Sequence, residues 1–529
     1  MERARNLVFG MMAGLMAVGG AQAADLPIKA KPIEYVKICS AYGAGFFFIP
    51  GTDTCIKLGG YVRADVTFDG GGAHGQPAWN GDAGQRNRYF DYFVGRSRMV
   101  LTVDTRTATE YGVVRTFAST KFQFTTLGGS TFNPNSINGS LPVANSNLLD
   151  TPGGGYVAIY DLFVQFAGFT FGKSASAYAS PWQGTPGNNS SFLLGGQSGD
   201  NSGTNNIQYT ADFGNGVTGS IGLDDPTVWD RTNVFNLSLP LNAALTSGNA
   251  YAGVHAPDVV GNIRIDQAWG LFQISGAAHE VNASYNVLNT AGAPAGAVAL
   301  PGAAPTALSE ISGHPDTKWG GAVMAALQIK NLPTGTADDI KLDASYAKGA
   351  TKYIIGTDST SPSFALFGGT SNPAAYQSIG FGATTDAVYL PFAAGGDGSL
   401  HLTEAFGVRG AFNHNWDPYW STSLYGSYSA VRYDGAAKAF MCANYTTPAK
   451  AVSADYVCNP DFNVSQLGTV TRWTPVKNLT FSAEVQWFHL DQKFQGSAIL
   501  GAAAPKPSTR YEFKDQDAVH LELRVQRNF

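Results

Sequence analysis

The residues of this chain that could do chemistry are mainly charged side chains set at even spacings within otherwise apolar stretches. Arg63 and Asp65, Arg96 and Arg98, Arg115 and Lys121, Asp161 and Gln165, Arg264 and Asp266, and Glu522 and Arg524 are such sets, and Met99, Leu101 and Val103 illustrate the apolar residues of opposite parity. Successive side chains of an extended strand point to opposite sides, so each set shares one face. Charges that face shared water set an electrostatic field; they break no bonds. Arginines on early strands, opposed by Asp161 on the wall or Asp200 in a loop, would send that field across the narrowest section of the space they enclose. Such a field orients polar solutes and penalises apolar ones.

Signals for catalysis are weak. His279-Glu280-Val281-Asn282 begins like a zinc-protease motif but lacks the second histidine four positions after His279, and neither GxSxG nor GxxxxGK[ST] occurs. The 8 histidines are scattered. Asp224 and Asp225 could hold Ca²⁺, although so short an acidic pair is ordinarily a solvated turn. The reading is therefore no enzyme, no cofactor and no resident metal. A net charge of -5 and a pI of about 5.9 do not suggest a nucleic-acid partner.

The element that must position these charges is clearest at the end of the chain. In Ala518 to Phe529, Val519, Leu521, Leu523, Val525 and Phe529 share one parity, and His520, Glu522, Arg524, Gln526 and Asn528 the other. Arg527 is the exception, a charge on the apolar parity. A strand with one apolar and one charged face suits a boundary between lipid and water. Composition agrees: 14% of residues are charged, against about 25% in soluble domains, with 63 Gly, 32 Phe, 23 Tyr and 9 Trp and a mean hydropathy of -0.08. Past the N-terminus no apolar run approaches the roughly 20 residues of a membrane helix, so apolar faces must arise by alternation.

The N-terminus reads as an export signal. Arg3 and Arg5 precede an apolar stretch from Leu7 to Gly20, and Ala21-Gln22-Ala23 is a small-residue cleavage site, so the mature chain is expected to start at Ala24. Export places the four cysteines in an oxidising compartment. Cys39 and Cys55 have the same separation as Cys442 and Cys458; of three possible connectivities, short loop closure favours the local one. The expected organisation is a signal peptide over 1–23, an N-terminal segment over 24–55 with a Cys39–Cys55 disulfide, and a barrel over 56–529.

Period-two alternation and turn signals mark sixteen strands, near 56–68, 94–106, 111–125, 157–167, 169–176, 205–213, 217–224, 258–268, 270–280, 318–330, 339–350, 403–415, 419–432, 467–476, 479–490 and 518–529. Tight turns and long Gly-, Ala-, Ser-, Asn- and Pro-rich loops alternate between them, as in an all-β transmembrane antiparallel barrel. A soluble multi-domain β protein has no reason to alternate so strictly.

Several segments also resemble the general porins of alphaproteobacteria, of the rhizobial and brucella type. These are Glu34-Tyr-Val-Lys-Ile-Cys39, Tyr42-Gly-Ala-Gly-Phe46, Ile49-Pro-Gly-Thr-Asp-Thr-Cys55, Lys57-Leu-Gly-Gly-Tyr-Val-Arg63, Val164 to Lys173, Ile207 to Ala211 with Phe213 to Gly216, Asp258 to Arg264 and Arg472 to Leu479. The resemblance runs along essentially the whole mature chain. It implies a sixteen-stranded barrel in the outer membrane, a homotrimer, and passive diffusion of small hydrophilic solutes and ions. It also implies that the third long loop, from Ala177 to Thr204, folds into the lumen. The expected partners are thus outer-membrane lipid, further copies of the chain, and solutes. The alternatives are a substrate-selective channel and a secreted soluble β-rich binding protein.

Overall fold

The computed structural model describes residues 37–68, 93–125, 155–182, 186–188, 203–227, 230–239, 241–242, 245, 248–285, 313–356, 363–392, 395–446, 448–502 and 506–529. Sixteen strands make one closed antiparallel barrel. They are β1 Thr54–Phe68, β2 Phe93–Thr109, β3 Gly112–Thr125, β4 Gly155–Phe166, β5 Phe169–Ser174, β6 Thr204–Gly214, β7 Val217–Asp224, β8 Asp258–Asp266, β9 Gly270–Val281, β10 Lys318–Lys330, β11 Asp339–Lys348, β12 Glu404–Asn415, β13 Trp420–Arg432, β14 Phe462–Val476, β15 Leu479–Gln492 and β16 Gln516–Asn528. Each pairs with its successor. β16 returns to β1, with Asn528 opposite Tyr61 and Leu521 opposite Phe68, so no edge of the sheet is left open.

Alternation becomes sidedness once the sheet closes. Leu58, Val62, Phe122, Ile159, Ile221, Ile263, Leu424, Val485 and Leu523 are exposed on the outer wall, while Arg63, Asp65, Arg96, Arg98, Glu522 and Arg524 are buried on the inner parity. Tyr111, Phe213, Trp269, Trp416 and Tyr419 are exposed at the short-turn end, where aromatic girdles of membrane barrels lie. The hairpins follow local chemistry. Asn215 and Gly216 both take positive φ, 57° and 75°, the geometry of the two-residue turn that an Asn-Gly pair favours. Gly60 has φ 146° inside β1, and a Cβ there would lie 1.9 Å from the Val100 carbonyl oxygen, so no larger residue fits.

Each expected strand has its counterpart. β14 begins at Phe462 rather than near 467. Its first inward residues, Phe462 and Val464, are apolar, so alternation is invisible there. The reason lies in the long loops, which fold. Strands Ser363–Gly368, Gln377–Ala383, Thr509–Phe513 and Ser497–Leu500 form one small sheet, and Asn233–Asn236, Thr385–Tyr389 and Leu400–Leu402 another. Helix α1, Gly435–Tyr445, is capped by Asp434, whose carboxylate accepts the Ala437 N–H at 2.7 Å. Phe381, Tyr445, Phe494 and Phe513 from these loops share one buried cluster with Phe462, Val464, Phe488 and Leu490 from the inner face of β14 and β15. Each fully buried Phe stabilises that unit by about 1.5–3 kcal/mol.

Both disulfides take the local connectivity, Cys39–Cys55 and Cys442–Cys458, each closing a separation of 16 residues. The first ties the segment at Cys39 to the start of β1, against which the short strand Phe47–Phe48 pairs opposite Ile56 and Cys55. The second fastens α1 to the segment before β14. Replacing Cys442 and Cys458 with serine is expected to destabilise the folded loops by about 3 kcal/mol, the loop-closure value for this separation. Limited proteolysis should then cut near α1 while the barrel stays heat-resistant on a gel; unchanged cleavage would mean the core holds the loop without the bond.

Candidate functional site

Closure brings the two ends of the chain together around one carboxylate. Asp65 on β1 lies directly opposite Arg96 on β2 and Arg524 on β16. Arg96 Nε is 2.7 Å from Asp65 Oδ1, and Arg63 Nε and Arg524 Nε are 3.5 and 3.6 Å from Oδ2. Three guanidiniums thus surround one aspartate. Arg524 also pairs with Glu522 at 2.7 Å. Farther round the wall, Arg98 donates to Gln123 Oε1 at 2.6 Å and to the Tyr160 hydroxyl at 2.8 Å, and the Lys121 ammonium lies 4.6 Å from the Tyr160 ring centroid.

Described residues of the segment after β5 hydrogen-bond to side chains of β8, β9, β11, β12 and β14 to β16. Asn262 on β8 donates to the Ala177 carbonyl at 2.5 Å, and Gln273 on β9 to the Ala179 carbonyl at 2.9 Å. Trp182 is buried against Leu271 and Ala326, and its indole N–H donates to Asp343 on β11 at 3.0 Å. Arg409 on β12 lies opposite Asp343 and pairs with it at 2.6 Å, while donating to the Ser180 hydroxyl at 2.5 Å. Farther on, the Asn188 N–H donates to both oxygens of Glu484 on β15 at 3.1 Å. Arg472 on β14 donates to the Pro186 carbonyl and Arg524 to the Asn188 carbonyl. The Tyr425 hydroxyl completes this group by donating to Glu484. A cavity of about 490 Å³ lies beneath, lined by Asn188, Lys341, Arg472 and Arg524 among others.

Of the residues singled out from sequence, Arg63, Asp65, Arg96, Arg98, Lys121, Glu522 and Arg524 therefore converge. Arg115 does not join them: it forms a separate group with Asp104 at 3.0 Å, Arg106 and Gln165 near the short turns. Arg264 and Asp266 pair at 3.1 Å at the turn rim, where Lys330 reaches Asp266 at 2.6 Å. Asp161 lies opposite Ser119 beside a register shift. Asp200 lies outside the described residues. His279 is a buried wall residue, 2.7 Å from Asp258 and 2.9 Å from the Tyr251 hydroxyl. Asp224 is buried at the end of β7, and Asp225 accepts the Thr227 N–H at 2.9 Å. Among the described residues no three His, Cys, Asp or Glu side chains are grouped to hold a metal ion.

Sequence reasoning missed Tyr160, Asp343, Arg409, Arg472 and Glu484. For Asp343 and Arg409 the parity was legible, but their opposition depends on the pairing register. Tyr160 is inward because β4 carries a bulge there, the pairing stepping from Asp161 opposite Ser119 to Ile159 opposite Thr120.

A family model described as Porin_2, Porin subfamily, matches residues 25–521. The chain belongs to this porin family. Among its relatives, the porin is 29% identical over 270 residues to Porin Omp2b of Brucella abortus (strain 2308), a match covering 50% of this chain and 63% of the relative. It is 39% identical over 122 residues to Porin Omp2b of Brucella suis biovar 1 (strain 1330), covering 23% and 30% respectively. The matched segments thus span less than two thirds of the relatives' own length. In fold, the porin is similar to the outer membrane channel DcaP of Acinetobacter baumannii, with a TM-score of 0.54 at 14% identity over 91% of this chain and 99% of that one.

Proposed function

We propose that this porin is a passive channel of the outer membrane, through which small hydrophilic solutes and ions diffuse down their gradients. The observation that carries this reading is the closed sixteen-stranded wall, apolar outside and lined inside by the Asp65 cluster; a barrel of this strand number leaves an aqueous lumen. The loop after β5 is the constriction on this reading, held to the wall by Asp343, Arg409 and Glu484. The pore-lining set is Arg63, Asp65, Arg96, Arg98, Lys121, Glu522 and Arg524. Export by a cleaved signal over 1–23, assembly as a homotrimer and the absence of catalysis complete the reading. The substrate-selective alternative draws support from the cavity of about 490 Å³, whose Lys341, Arg472 and Arg524 would suit an anionic solute.

The test is conductance of the detergent-extracted protein in a planar bilayer. Large, long-lived steps arriving in groups of three are expected for an open trimeric pore. Absence of steps from correctly folded protein would sink the reading, and block by a particular small anion would favour the selective channel.

A further inference from the structure

Arg527, the charge on the apolar parity of the closing strand, takes no part in the lumen. It is exposed, on the same parity as Leu523 and Val525, and donates to the Lys477 carbonyl in the turn between β14 and β15. The register sets out what lies beside it. Arg527 is opposite Val62 and Leu479, Val525 opposite Ala64 and Phe481, and Leu523 opposite Val66 and Ala483. Moving away from the turns, a cationic level is followed by an aromatic one, where Phe481 lies 5.4 Å from Trp473 and Trp473 stacks 5.8 Å from Trp420. A level of small and aliphatic residues comes next. Because Ala64 and Ala483 are small, the outer wall is indented there by a groove of about 490 Å³ with an almost wholly apolar lining.

We propose that this groove, with Arg527 and Lys477 at its turn end, is a binding site for an anionic glycerophospholipid. The order of chemistry along the wall matches that lipid. A guanidinium stands at phosphate depth with Lys477 in the adjoining turn, tryptophans at the glycerol level, and an alkyl-lined slot below takes an acyl chain. Arginine suits the phosphate because its donors match paired oxygens. At the opposite end the lipid-side charges of Lys348 and Glu404 pair with each other at 2.8 Å. Among the described residues, no carboxylate lies within ion-pair reach of Arg527. The short-turn end faces the periplasm in bacterial barrels, so the lipid comes from that leaflet. The inference rests on the membrane-barrel reading.

The experiment is native mass spectrometry of the detergent-purified, folded protein titrated with dipalmitoyl phosphatidylglycerol. One lipid retained per chain is expected. Arg527→Gln should weaken retention about tenfold, Arg527→Lys should recover most of it, and Ala483→Trp, which fills the slot and leaves Arg527 untouched, should abolish it. Single-channel conductance should be unaltered in all three, which separates failure of this site from failure of the channel reading. Equal retention by the wild type and both the Gln and Trp variants, or equal retention of a diacylglycerol lacking the phosphate, overturns the proposal. So does shielding of an Ala483→Cys thiol in lipid-free oligomers, which would assign the groove to a neighbouring copy.

Discussion

Asp343→Ala is expected to cost about 3–5 kcal/mol of stability, the usual consequence of removing one partner from a buried ion pair, and to enlarge and roughen the conductance steps. Asp343 is the shared acceptor for Arg409 and for the Trp182 indole N–H. Without it the buried Arg409 guanidinium loses its paired carboxylate, and the Trp182 indole loses the acceptor it has at 3.0 Å. Residues 180–182 then lose a tether to the wall. Asp343→Asn is the discriminating control, because it keeps an acceptor for Trp182 and removes only the charge; its effect should be intermediate. Urea unfolding of the refolded barrel reads the stability, and a planar bilayer reads the current. An alanine variant with unchanged unfolding midpoint and unchanged current noise would mean that the contact neither supports the barrel nor holds the loop.

The second large effect is on ion preference. Replacing Arg96 and Arg98 together by glutamine should move the reversal potential under a salt gradient towards cations. A unit charge about 8 Å from the path of an ion contributes roughly 0.5 kcal/mol at the dielectric constant of water. Two removed charges shift a cation and an anion by about 1 kcal/mol each in opposite senses, so the unscreened cation-to-anion permeability ratio changes about thirtyfold. Asp65, Arg63 and Arg524 remain, so the carboxylate keeps partners and the wall should not collapse. Screening gives an internal check: the Debye length falls from about 10 Å at 0.1 M salt to about 3 Å at 1 M, so the shift should fade at high salt. A reversal potential that does not move at low salt would take both arginines off the conduction path.

Features that depend on near neighbours can be read along the chain. Side-chain direction in a strand repeats every two residues, so the sixteen strands, their apolar and charged faces and the alternation of short and long connections were legible in one dimension. Equal, short separations favoured the disulfide pairing for the same local reason. The tertiary structure decided which faces meet. Asp65 and Arg524 are neighbours only because the last strand pairs with the first, and Asp343 faces Arg409 only through the register of β11 and β12. An extra residue at Tyr160 shifted the parity of β4 without changing composition. At the long-loop end of β14 and β15 the polar-inward rule gave way: Phe462, Phe488 and Leu490 face inward because the loops fold and offer them an apolar core. Phe364, for one, stacks 5.6 Å from Phe488, and a local period carries no trace of contacts made at such a sequence distance.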